Sequence, residues 1–181
     1  MKKFIIFCLL LLTGCVSKPE SVEPVKGFEL DKYLGKWYEI ARLDHSFERS
    51  MEQVTASYSL RPDGGVRVIN RGFSLDENKW KEAEGKAYFV EDKETGYLKV
   101  SFFGPFYGSY IIFNLDKENY QYAFVSSYNH DYLWLLSRTP TIERELMERF
   151  VVEAKALGFN TDNLIIVSQE SVIPDEKSSS N

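Results

Sequence analysis

The side chains best suited to chemistry are few and widely spaced. Two histidines each stand beside an aspartate, in Asp44-His45-Ser46 and His130-Asp131, and Cys8 and Cys15 are the only thiols among 181 residues. Asp44, His45 and Ser46 carry the group types of a hydrolytic set, but adjacent residues rarely converge on one substrate atom, because triads form in space. Two loop histidines are too few for a zinc site. No catalytic residue, metal site or cofactor is therefore assigned, and the chemistry that remains is that of Cys15.

Cys15 ends a leader. Lys2 and Lys3 precede the apolar run Phe4–Leu12, which Thr13-Gly14-Cys15 follows. The run is far shorter than the ~20 residues that span a bilayer, and its flanks are those of a secretory signal over residues 1–14. "LTGC" resembles the bacterial lipobox at all four positions, which implies cleavage before Cys15 and diacylglyceryl transfer to its sulfur. The alternative is an ordinary signal peptide in which Cys15 is only a small residue near the cut. Val16 stands where an aspartate would resemble the inner-membrane retention signal, so the expectation is an outer-membrane lipoprotein facing the periplasm. No disulfide is then left, and the 167 residues after Gly14 suffice to bury a core. Residues 15–27 read as the lipidated N-terminus and a polar tether with two prolines, 28–170 as the domain, and 171–181 as a disordered tail.

Losing Lys2 and Lys3 takes the formal net charge from −5 to −7. An acidic domain without a basic run is a poor partner for nucleic acid or anionic headgroups. The acyl anchor, and not charge, holds it at the membrane.

The elements that must position everything else are short segments rich in Tyr, Phe, Val and Ile. Candidate strands are 36–43, 53–60, 65–73, 81–90, 96–103, 108–115, 120–126 and 132–138, separated by turn signals such as "RPDGG" and "DKETG". Eight strands with short connections predict an all-β, up-and-down antiparallel meander, and closure into a barrel removes its edges. On the first strand Trp37, Glu39 and Ala41 share one face, and Tyr38, Ile40 and Arg42 the other. Neither face is cleanly polar, as fits a barrel carrying a helix on its outside. That helix is predicted within 139–159, where Ile142, Leu146, Phe150, Ala154 and Leu157 fall at helical spacing, Thr141 caps the start and Gly158 ends it. A last strand, 163–169, is expected to pair with the first.

In this order the residues resemble the lipocalin family, in particular bacterial outer-membrane lipocalins related to apolipoprotein D. The likeness rests on Gly35-Lys36-Trp37 at the start of strand one, Arg138 in "LWLLSRTP" at the end of strand eight, the helix directly after it, and the upstream lipobox. "VTASYSL", "EGKAYF" and "VSFFGPFYG" extend it over residues 28–169. One departure is the second family motif, usually a T-D-Y-like stretch, which is here "ENYQYA". The resemblance implies an eight-stranded barrel with one C-terminal helix packed outside. It also implies that Trp37 plugs the closed end while Arg138 lies across its ring, donors turned to backbone carbonyls. Glu39 then sits one step up inside, where a carboxylate needs a donor or a raised pKa, and no partner for it is evident.

Parity counted from Trp37 and Arg138 gives an interior. The ligand-binding set is Ala56, Tyr58, Val68, Asn70, Ala87, Phe102, Tyr110, Ile112, Tyr132, Trp134 and Leu136, with Val54, Leu60, Val66, Val100, Asn114, Ala123 and Val125 on the same side. An eight-stranded interior is either packed or hollow, and the small residues Ala56, Ala87 and Ala123 favour a cavity. Phe47, Met51, Phe106 and Tyr107 fall at the open mouth, as an entrance, a contact surface or side chains folded back on the rim. The apolar lining and the resemblance together imply a non-enzymatic protein that stores or carries a fatty acid or lysophospholipid. The other readings are a structural lipoprotein with a packed barrel and a lipid-modifying enzyme. An apolar rim suits a homodimer as well as a monomer facing a membrane.

Overall fold

Strand-forming residues alternating between turn sequences produce the antiparallel ladder of a computed structural model that describes residues 16–170. The leader, Cys15 and the residues from 171 lie outside the described residues. One helical turn, α1 (Leu30–Tyr33), leads into β1 (Gly35–Arg42), β2 (Met51–Leu60), β3 (Val66–Ser74), β4 (Lys79–Phe89), β5 (Tyr97–Ser101), β6 (Gly108–Leu115), β7 (Tyr122–Ser126) and β8 (Leu133–Ser137). Each strand pairs with the next, and β1 pairs with both β2 and β8, which closes the barrel. The helix α2 (Arg144–Ala156) and the two-residue β9 (Ile165–Ile166) follow. β9 pairs with β1 as expected, through Ala41↔Ile166 and Arg42↔Ile165. Beyond it the chain fills the gap where β1 and β2 part: Val167 N donates to Ile40 O at 2.9 Å and Gln53 N to Ser168 O at 2.8 Å.

Apolar residues on both faces of the wall build two layers. The inner one, around Trp37, Tyr33, Tyr58, Leu115 and Tyr120, fills the closed end. The outer one joins Ile40, Ile111, Phe124, Leu133 and Leu135 to Phe150 and Ala154 of α2, and the Phe150 ring meets Phe124 edge-on at 4.9 Å. The helix ends where Gly158 takes φ +96°, with Phe159 N bonded to Ala154 O and Gly158 N to Lys155 O, each at 3.1 Å. Its start differs from expectation: Glu143 is the N-cap, and the Thr141 carbonyl accepts the Thr139 hydroxyl at 2.7 Å instead.

Strict alternation fails at two register shifts and at one strand end. The register shifts between Glu39 and Ala41, a bulge that gives β1 one extra residue. Ala41 therefore joins the outer layer, and Arg42 turns in beside Glu39. A shift between Ile112 and Asn114 likewise sends Asn114 outward, where its amide bonds Glu153 of α2. Leu60, the last residue of β2, is 56% exposed. The segment expected as a tether is not free of the wall either. Val22 is fully buried, Val25 N donates to Ile112 O at 2.8 Å, and Ser21 Oγ donates to Leu157 O at 2.7 Å.

At the closed end Trp37 is fully buried and its Nε1 donates to Tyr33 O at 2.8 Å. The Arg138 guanidinium lies 3.9 Å from the centre of the indole. Its nitrogens donate to Lys32 O (2.7 Å), Leu34 O and Lys36 O (2.9 Å each) and Tyr120 O (3.2 Å). Gly35, at φ +95°, passes close beneath, so that a Cβ there would stand 3.4 Å from Arg138 Nη1. The "ENYQYA" departure lies in this end, since it supplies Tyr120. Trp37→Ala is expected to cost about 3–5 kcal/mol and more than Arg138→Ala. The double mutant should lose much less than the sum, because both changes remove one stacked pair. Thermal melts of the two single mutants and the double mutant check this, and additive losses would contradict it.

Candidate functional site

Above this floor the barrel is hollow, with a cavity of about 610 Å³ that opens between the loops opposite Trp37. Of the expected set, Ala56, Tyr58, Val68, Asn70, Ala87, Phe102, Tyr110, Tyr132, Trp134 and Leu136 all border it. Ile112 does not: it stands at the β6 bulge, fully buried in the inner layer. Phe47, Met51, Phe106 and Tyr107 line the mouth. The volume lies within the roughly 300–1,000 Å³ of small-molecule sites.

The polar groups of the chamber collect toward its two ends. At the floor Tyr33 OH lies 2.7 Å from Tyr110 OH, which lies 2.8 Å from Tyr58 OH. Burial raises all three phenols above their ordinary range, so they stay protonated. In the wall, Asn70 Oδ1 is buried without a hydrogen-bond partner among the described residues. The mouth has one open flank. β4 pairs with β5 only from Lys86 to Phe89, so Lys79–Gly85 have β3 on one side and no strand on the other. Charged residues there, Lys79, Lys81, Glu82 and Glu84, discourage pairing with another chain. Arg71 and Lys81 border the cavity on this side, with the Arg71 guanidinium 4.3 Å from the centre of the Trp80 ring and the Lys81 ammonium paired with Glu77.

Below the β1–β2 loop lies a buried charged cluster that regular alternation hid. Arg42 Nη1 donates to Glu39 Oε1 at 2.7 Å, and its Nη2 donates to Glu48 O at 2.7 Å and Met51 O at 3.1 Å. Trp134 Nε1 donates to Glu48 Oε2 at 3.1 Å. His45 Nε2 stands 3.0 Å from the same oxygen but is not aligned for a ring hydrogen bond. The imidazole stacks on Phe47 at 4.0 Å. Burial, and then the charge of Glu48, push Glu39 well above the usual carboxylate range against the pull of Arg42. Burial works the same way on Glu48, but His45, Trp134 and Arg42 outweigh it and hold Glu48 below its ordinary value. The proton of the pair therefore sits on Glu39, and Glu48 carries the charge that balances Arg42. One signal in the sequence pointed here: Glu39 needed a partner, although Lys36 and Arg42 stand equally near it along the chain and alternation put Arg42 on the other face. The burial of His45 and Glu48 left no such trace. Phe103, in the uncharged stretch "FFGPFYG", is exposed beside Phe106, and its place in an apolar loop is legible in the sequence.

A barrel plugged at one end and hollow to the other, with apolar walls, defines a binding protein for a small hydrophobic molecule. The chain belongs to the lipocalin family, since the family model described as a lipocalin-like domain matches residues 28–169. It is 63% identical over 167 residues, covering 92% of this chain and 98% of the relative, to outer membrane lipoprotein Blc of Vibrio cholerae. Bovine (Bos taurus) apolipoprotein D is 33% identical over 126 residues, 66% of each chain. Among solved structures, insecticyanin from the tobacco hornworm Manduca sexta superposes with a TM-score of 0.68 at 21% identity, over 84% of this chain and 87% of that one.

The raised Glu39 gives a pH dependence of definite sign. A carboxyl whose folded pKa exceeds its unfolded one contributes stability that is full below the unfolded value, near 4.5, and is lost as pH rises through the folded value. Glu39→Gln keeps an acceptor for Arg42 but cannot ionise. Its melting temperature is expected to fall less than that of the unaltered protein as pH is raised from 5 through the raised Glu39 pKa. Parallel curves would contradict the assignment.

Proposed function

We propose that the protein is a lipid-anchored carrier at the outer membrane, and that its barrel takes the acyl chain of a fatty acid or lysophospholipid. The observation that carries the reading is the cavity of about 610 Å³ whose walls are mostly carbon between three phenols at the floor and charged groups at the mouth. An acyl chain lies along such walls, and its head remains near Arg71 and Lys81. The ligand-contacting set is Ala56, Tyr58, Val68, Asn70, Ala87, Phe102, Tyr110, Tyr132, Trp134 and Leu136. The "LTGC" motif and a 63% identical relative named as an outer membrane lipoprotein support the anchor on Cys15 and the location. Binding rather than catalysis fits Asp44, His45 and Ser46, two of which turn to separate partners. Asp44 Oδ2 accepts from Arg49 Nη2 at 2.6 Å, while His45 is buried against Phe47.

Affinity for fatty acids should rise by up to ~0.8 kcal/mol per buried methylene until the chamber is full. Trp134, which borders the cavity, should report this in a fluorescence titration with fatty acids of increasing length and with lysophospholipids. Trp134→Phe should lose most of the signal and keep binding, whereas Trp134→Glu should weaken it. The absence of a saturable response at any chain length, or unchanged affinity in Trp134→Glu, would reject the reading. Lipid extraction and mass spectrometry of detergent-free protein separate a carrier from an empty structural barrel. For the anchor, Cys15→Ser should abolish labelling by palmitate and release a folded domain; retained label would refute it.

A further inference from the structure

We infer that the open mouth of the barrel rests in the membrane surface itself, with Phe47, Phe103 and Phe106 seated at headgroup level, so that an acyl chain passes from bilayer to cavity without crossing water. The inference goes beyond carriage of a lipid and rests on the acylated Cys15 proposed above.

The first argument is the distribution of apolar surface. All four connections at the mouth expose a large apolar side chain at or beside them: Phe47 (60%) between β1 and β2, Leu75 and Trp80 (47% and 46%) at β3–β4, Phe103 and Phe106 (81% and 78%) between β5 and β6, and Tyr128 (46%) between β7 and β8. The connections at the closed end read Arg61-Pro62-Asp63-Gly64-Gly65, Glu91-Asp92-Lys93-Glu94-Thr95 and Asp116-Lys117-Glu118-Asn119. Among the described residues only Leu60 and Val90 add exposed large apolar groups there. Four loops around one opening present a rim, not a groove, and a rim of aromatic groups fits a lipid–water interface. Phe47, Phe103 and Phe106 also border the cavity, so the surface that would meet lipid continues into the chamber.

The second argument is where the chain ends. The N-terminal segment is fastened along the outer wall, with Ser17 O accepting the Ser109 hydroxyl and Val16 O accepting the Tyr97 hydroxyl at 3.2 Å. Ser109 is the second residue of β6, directly after the connection that holds Phe103 and Phe106. Cys15 is the next residue before Val16, one Cα step of about 3.8 Å away. Acyl chains on Cys15 would therefore start beside β5 and β6 on the outer wall, one residue beyond the contacts with Ser109 and Tyr97. The net charge of −7 left after the leader is lost would not draw the domain to an anionic surface, so the contact is made by apolar burial.

The test uses the full acylated protein in vesicles of phosphatidylethanolamine and phosphatidylglycerol. With Cys8 removed and Cys15 acylated, one introduced cysteine is the single free thiol, so Phe103→Cys, Phe106→Cys, Lys93→Cys and Lys117→Cys are each labelled with a polarity-sensitive fluorophore. Vesicle flotation is recorded for every sample. Labels at 103 and 106 are expected to shift to the blue and to be quenched by spin-labelled lipid at least about threefold more than labels at 93 and 117. Equal quenching, or stronger quenching at 93 and 117, in protein that floats overturns the orientation and leaves the anchor standing. Protein that does not float refutes the anchor, and the inference with it. A shielded label at 103 that lipid does not quench, together with 103-to-103 crosslinking, would assign the rim to a second copy of the chain and overturn the proposal.

Discussion

One guanidinium closes the lower end of the barrel. Arg138, at the exit of β8, donates to four backbone carbonyls, three from Lys32 of α1 to Lys36 of β1 and one in the turn between β6 and β7. A planar group with five donors reaches all four while its face lies on the indole of Trp37; a lysine ammonium, a compact point charge with three donors, would not. Because this end is sealed, the chamber has a single entrance. Residues far along the chain, from Tyr33 to Tyr110, then form a floor in place of a second opening.

Much of this architecture was readable from alternation. The eight strands, the outer helix and ten of the lining positions follow from period-two and period-3.6 patterns. What alternation missed lies at bulges, because one extra residue reverses the parity of everything after it until another irregularity intervenes. Ala41 and Arg42 exchanged faces for that reason and Asn114 went out to meet the helix, whereas Ile112 kept its inward side but is packed into the inner layer away from the cavity. Nothing in the side-chain types of "EIARLD" or "FNLD" announces an inserted residue. The docking of residues 16–27 was hidden differently: three valines in a polar, proline-bearing stretch suffice once Gly96 and Ile112 offer backbone partners.

The charged cluster under the β1–β2 loop shows how a buried ion pair is kept affordable. With its proton on Glu39, the group holds one positive and one negative charge: Glu39 acts as a neutral acceptor for Arg42, while the Glu48 carboxylate accepts from Trp134 and meets Arg42 only through its own backbone carbonyl. Arg42 also ties the loop by its own backbone, at Glu48 O and Met51 O. Phe47 is thereby held at the rim by a scaffold that is not itself apolar, and Trp134 is oriented by the same carboxylate that balances the arginine.

The three phenols at the floor carry an arithmetic of their own. Tyr33, Tyr110 and Tyr58 own three hydroxyl protons, but only two contacts join them. When both bonds run the same way, a terminal hydroxyl keeps a proton with no phenol to receive it, and reversing the direction moves that proton between Tyr33 and Tyr58; when both ends donate to Tyr110, the spare proton is its own. The deepest point of a carbon-walled chamber thus holds a single reversible donor. On the proposed reading, a tail ending in a methyl group would leave that donor without an acceptor from the ligand, whereas a tail ending in oxygen would accept it.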